Sequence, residues 1–113
     1  MSVSQRKIKT LVDIRSINDL FIKGKHKQTF PLRLHYFSAK ETKTVFTVSK
    51  KKLPKAVDRN RIKRVLKDVY FNNFAEQGER RKYHLGFVYL SSKLMSHKEI
   101  VKSMKTLMDK INQ

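Results

Sequence analysis

The sequence predicts an α+β sandwich, a small mixed sheet with helices packed on one side. Three observations predict it. Helical spacing and β-rich character succeed one another in the order helix, strands, helix, strand, helix. The chain has 113 residues, enough for one compact domain. It is 39% hydrophobic, with seven Phe and four Tyr, so it can bury a core that a disordered basic tail could not.

The elements follow in chain order. Residues 1–15 read as a basic, partly irregular arm of a single domain spanning 1–113. Ser16 precedes Ile17, Leu20 and Phe21, with Asp19 three residues on. That is an N-terminal cap for a short helix over 16–23, and Gly24 is its stop signal. A strand signal in "KHKQTFP" (25–31) is weak. "PLRLHYF" alternates: Leu32, Leu34 and Tyr36 share one face, Arg33, His35 and Phe37 the other. "SAKETK" is a polar turn, and "TVFTVS" (44–49) is a second β-rich run. A basic loop, "KKKLPK", contains Pro54, which breaks any ladder. Residues 57 to about 75 read as the long helix, and 76–82 as a polar connector. "YHLGFVYL" (83–90) is the most apolar strand. Ser96 opens a last helix, 97–111, with Ile100, Val101, Met104, Leu107, Met108 and Ile111 at helical spacing. Those methionines read as core rather than as a ligand box.

Charge narrows the function. There are 27 Lys plus Arg against 9 Asp plus Glu, a net +18 spread along the whole chain. Such self-repulsion weakens a compact state unless a polyanion neutralises it, and nucleic acid is the first expectation. No Trp-bearing amphipathic terminal helix or long apolar run supports a membrane partner. There is no Cys, hence no disulfide framework or thiolate metal site. With no secretory signal pattern at the N-terminus, the expected location is the cytoplasm. Acids are scattered, and the four His residues show neither ligand spacing nor a paired nucleophile, so the protein itself is expected to hold no catalytic residue and no metal.

The basic helix carries the sharpest signal. With Ile62 at zero and about 100° per residue, Val65, Leu66 and Val69 fall within about 60° and Tyr70 near 80°. They form the buried stripe. Arg59 and Lys63 border it, while Asn60, Arg64 and Lys67 face the other way. Arg61 lies on the remaining flank near Asp58 and Asp68, placed for a local ion pair. Lys50, Lys51, Lys52 and Lys55 continue the positive surface into the preceding loop. Arginine forks suit phosphate oxygens, and the helix N-terminus adds partial positive charge. Asn60 is out of place in a helix interior. Its amide serves the helix N-terminus, reads a nucleotide or supports a hydrated metal. Phe71 falls mid-way round the basic face. It either packs beneath the last helix, the favoured reading, or offers an exposed stacking surface.

"VSKKKLPKAVDRNRIKRVLKDVY" closely resembles the central motif of the bacterial ribonuclease P protein subunit: Ser-Lys-Lys, a short loop, then Ala-Val-x-Arg-Asn-Arg-x-Lys-Arg. "INDLFIKGK" resembles the family's first helix, which ends in Phe-x-x-Gly. The resemblance covers roughly residues 8–110. It implies a four-stranded mixed sheet, three helices and a left-handed βαβ crossover through the basic helix. It also implies an accessory subunit, inactive alone. Such a subunit binds a catalytic RNA and the 5′ leader of precursor tRNA, one protein per RNA, while the RNA performs the endonucleolytic removal of the leader. Mg2+ is then a matter for the RNA, and the protein alone binds no cofactor.

By the same resemblance, Lys50, Lys51, Arg59, Asn60, Arg61, Lys63 and Arg64 match the RNA-binding motif; Lys52, Lys55 and Lys67 extend it. Phe21, Ile17, Arg33, His35 and Phe37 line the leader cleft between the first helix and the sheet. His35 stands where some members have an aromatic. The loop is one residue longer than the commonest form, with Pro54 where Gly is typical nearby, and Phe71 replaces a frequent Arg. A noncatalytic general RNA-binding or chaperone protein is the alternative.

Overall fold

A computed structural model describes residues 14–40, 42–74 and 83–111. Helix α1 (Ile14–Lys23) is followed by strands β1 (Lys25–Thr29), β2 (Leu32–Ser38) and β3 (Lys43–Val48), helix α2 (Ala56–Asn73), strand β4 (Tyr83–Tyr89) and helix α3 (His97–Ile111). The strands form one mixed sheet in the order β1-β2-β4-β3, with only the β3–β4 pair parallel. The connector over 76–82 and most of the N-terminal arm lie outside the described residues.

The sheet's odd and even positions meet different partners. Leu32, Leu34, Leu85, Phe87 and Tyr89 share a core with Ile62, Leu66, Val69 and Tyr70 of α2 and Ile100, Met104, Leu107 and Met108 of α3. The methionines are thus packing residues. Phe46 completes this layer, its ring stacked 5.6 Å from Phe87. Ser96 caps α3: its hydroxyl accepts from the Glu99 N–H of the first turn and donates to the Glu99 carboxylate.

Helices do not all lie on one side. Leu20 and Phe21 of α1 crowd Gly86, and Phe21 meets His35, both on the face opposite the shared core. Periodicity shows which side of a helix is buried, not which side of the sheet it covers. β4 held the clue: Leu85, Phe87 and Tyr89 fill one parity, while the other carries Gly86 and Val88, leaving room and apolar surface for a second cover. α1 also starts two residues before Ser16, which therefore sits inside the helix rather than at its cap.

β1 confirms the weak strand signal. Four of its five residues are exposed, so it lacks an alternating pattern. It is held instead by its antiparallel ladder to β2 and by α3, where the Ser103 hydroxyl donates to the Thr29 carbonyl at 2.6 Å.

The hand of the β3–α2–β4 crossover follows from hydrogen bonding. The Leu90 N–H donates to the Pro31 carbonyl, one step beyond the Leu32–Tyr89 register. Even-numbered β4 residues therefore bond toward β2 and odd-numbered ones toward β3. The odd side chains face α2. For L-residues this sets β3 to the right of β4 when the strands point up and α2 faces the viewer. The chain passes from right to left across the front, a left-handed crossover against the usual rule.

Candidate nucleic-acid interface

The positive surface is built by a loop and a helix that fix each other. Ser49 closes a turn, its carbonyl accepting from the Lys52 and Leu53 N–H groups and its hydroxyl from the Lys51 N–H. Leu53 is buried in the core and pins the loop. Arg59 reaches back along α2, donating to the Leu53 carbonyl at 2.9 Å and to the Pro54 carbonyl at 2.7 Å. Lys50, Lys51, Lys52 and Lys55 are left exposed around this anchored turn. The helix start carries no side-chain cap at Lys55, which leaves its first N–H groups available.

Arg59 thus serves the loop first. Asn60, Lys63, Arg64 and Lys67 instead line a groove of about 400 Å³ with Val45 and Phe46 of β3. None of those four polar side chains has a hydrogen bond or ion pair among the described residues. Asn60 does not serve the helix terminus through any hydrogen bond among these residues. Arg61 is exposed on the opposite flank, and the ion pair with Asp58 or Asp68 does not form among the described residues. Phe71 packs: it is half-buried against the core with its ring 5.0 Å from Tyr70, edge to face. The buried stripe of α2 broadens near its end, where Phe74 is also enclosed, so a position opposite Ile62 is covered there.

The second surface is the α1 face of the sheet. Phe21 lies edge-on to His35, ring centroids 4.7 Å apart. Ile17, one turn earlier, shares the Phe21 side of the helix and is half-buried. Arg33 and Phe37 flank His35 at the same parity; Phe37 is exposed and opposite His84. The Arg33 guanidinium is oriented by Gln28 Oε1, to which both Nε and an Nη donate. All five cleft positions therefore come together.

Sequence reasoning missed others. His26 of β1 pairs with His35, their rings 5.5 Å apart. Gly86 lets α1 settle on the sheet: a Cβ there would lie 3.0 Å from a Leu20 methyl and 3.1 Å from the Phe21 ring. A glycine inside a strand pattern was the available signal. Val45 is the register partner of Gly86, so it points to the α1 face while Phe46 faces α2. The groove consequently wraps the β3 edge and joins the two surfaces.

His35 is held below its ordinary value of 6.5, chiefly by burial, then by His26 and Arg33. The charged groups facing it come from β1 and β2; β4 contributes Gly86 opposite and His84 two positions away, and α1 contributes Phe21. A depressed histidine favours the fold above 6.5, and that stability is lost as pH falls through the folded value. Thermal stability is therefore expected to fall below pH 6.5, with a smaller acid-side loss in His35→Phe. Identical pH profiles for the two proteins would refute this.

A family model described as Ribonuclease P matches residues 6–112. No curated protein matched the chain by sequence. Among solved structures, the Staphylococcus aureus RNase P protein is similar with a TM-score of 0.77 at 18% identity, covering 93% of this chain and 96% of that one. The RNase P protein from Thermotoga maritima gives a TM-score of 0.77 at 16% identity, over 90% of this chain and 96% of that one.

Proposed function

The chain belongs to the ribonuclease P protein family, and from that premise we propose that its two surfaces hold two different parts of one RNA assembly. As a ribonuclease P protein subunit it takes part in tRNA processing, within an endoribonuclease complex that contains RNA. The basic loop and helix grip the catalytic RNA. The cleft between α1 and the sheet takes the single-stranded 5′ leader of precursor tRNA.

The observation that carries this division is chemical. The helix offers Lys63, Arg64 and Lys67 without a partner among the described residues, suited to phosphates whatever the sequence. The cleft offers rings at Phe21, His35 and Phe37 beside Arg33, suited to stacking unpaired bases over a backbone held by one guanidinium. No Asp or Glu stands on that sheet face among the described residues.

Hydrolysis belongs to the RNA in this reading, with one protein on each RNA. Magnesium belongs there too in this reading: a surface dominated by lysine and arginine repels a divalent cation. The protein's part is to bind, orient and screen charge between two polyanions. No helix among the described residues is long and apolar enough to cross a membrane.

Reconstitution tests the proposal. Added to a bacterial ribonuclease P RNA at low magnesium, the protein should stimulate cleavage at the mature 5′ end. Phe21→Ala should weaken leader-bearing substrate by roughly ten- to a hundredfold, the value of one stacked base, and leave leaderless product binding unchanged. Equal stimulation of any structured RNA would favour a general RNA-binding protein instead. Cleavage without added RNA would place the chemistry in the protein.

A further inference from the structure

The groove at the β3 edge holds more than a phosphate-binding surface needs. We propose that it is a pocket for one unstacked nucleobase of an RNA strand, an inference that rests on the RNA-binding role above.

Its floor is apolar and rigid. Phe46 is stacked on Phe87, with an interplanar angle of 11°, and braced by Tyr70 at 6.2 Å. Val45 continues that floor around the edge toward the α1 face. Phosphates gain nothing from such a floor, whereas a base has a π-face and apolar area to bury. At about 400 Å³ the groove is in the size range of small-ligand pockets.

Its walls supply the charge complementarity. Lys63, Arg64 and Lys67 stand on one side with no anionic partner among the described residues. They are placed to take the phosphates flanking a base, and Asn60 adds an amide that both donates and accepts.

The floor also carries a readable edge. β3 is the last strand of the sheet. The geometry that fixes the crossover turns the backbone of Phe46 away from β4, so its N–H and C=O face the open side. A donor and an acceptor on one residue match the mixed donor–acceptor edge that every base presents when unpaired.

The wild-type full-length protein, titrated with AMP and separately with ribose 5-phosphate while backbone amide resonances are followed, decides the matter. The two ligands share a phosphate and a sugar and differ in the base. AMP should bind at least roughly tenfold more tightly, with shifts at Val45 and Phe46. Equal affinities, shifts confined to α2, or no binding of AMP would overturn the pocket. As a second measure, Val45→Trp places a bulky ring at the edge of the groove that Val45 lines, without changing charge. It should lower affinity for the catalytic RNA roughly tenfold and leave the salt dependence unaltered. A folded Val45→Trp protein with full affinity would also overturn the pocket, while the RNA-binding role would stand. Loss of RNA binding by the unaltered protein would instead remove that role.

Discussion

Replacing Lys63, Arg64 and Lys67 together by Ala should lower the affinity for a bacterial ribonuclease P RNA on the order of a hundredfold at physiological salt. Each phosphate contact adds roughly 0.7–0.9 to the slope of log affinity against log salt, so three contacts remove about 2–3 from that slope. At about 0.15 M salt each contact then contributes a factor of roughly 4–5. The fold should not suffer. None of the three is in the buried stripe of α2, and none has a partner to lose among the described residues. Alanine is the better helix former, and removing like charges from a chain of net +18 relieves repulsion. Filter binding across a salt series, beside thermal unfolding, checks both halves. An unchanged slope would mean that these cations are not the phosphate contacts.

Gly24→Ala should have the largest effect on stability. Gly24 closes α1, its N–H donating to the Leu20 carbonyl at 3.1 Å, and the chain turns at once into β1. Its φ is not positive, so the glycine is not required by a left-handed cap. Space requires it. A Cβ would overlap the Leu20 carbonyl oxygen and stand 2.9 Å from the Tyr36 carbonyl oxygen. Both are backbone atoms, one in a helix and one in the second strand, and neither can swing aside as a side chain can. Overpacking of this kind costs about 1–3 kcal/mol or more, a large part of a typical 5–15 kcal/mol. A fall in Tm of roughly 10 °C follows for a domain of this size. Calorimetry reads it directly, and a Tm within about 2 °C of the parent would mean that α1 and β2 separate freely. The glycine of the Phe-x-x-Gly motif is therefore structural, although the motif reads as part of a binding site.

The elements whose identity was legible in the sequence are those whose own pattern carries it. The long helix, the last helix and β2 announced themselves through spacing, because each buries one face. β1 did not, since an outer strand with four exposed residues is held by its neighbour's hydrogen bonds rather than by apolar alternation. Ser16 misled for a different reason: a capping pattern fits any early turn, and only the backbone says which turn is first. In the site, the outward cations of α2 were legible from angles alone. Arg59 was not, because its partners are carbonyl oxygens of Leu53 and Pro54, groups that every residue possesses. His26, Val45 and Phe46 belong to the surfaces through strand register, which no local pattern encodes.

The Arg59 clamp bears on how quickly a partner is captured. A run of lysines on a free loop must surrender its backbone freedom as it binds, at about 1–2 kcal/mol for each residue fixed. Here the Ser49 turn, the buried Leu53 and two guanidinium hydrogen bonds have already restricted the turn that presents Lys50, Lys51 and Lys52. The ordering cost is met during folding, so an arriving RNA finds its anchors in place and a larger share of encounters is productive. Arg59 thereby acts on the speed of assembly through conformational entropy, by ordering the lysine-bearing turn before the nucleic acid arrives.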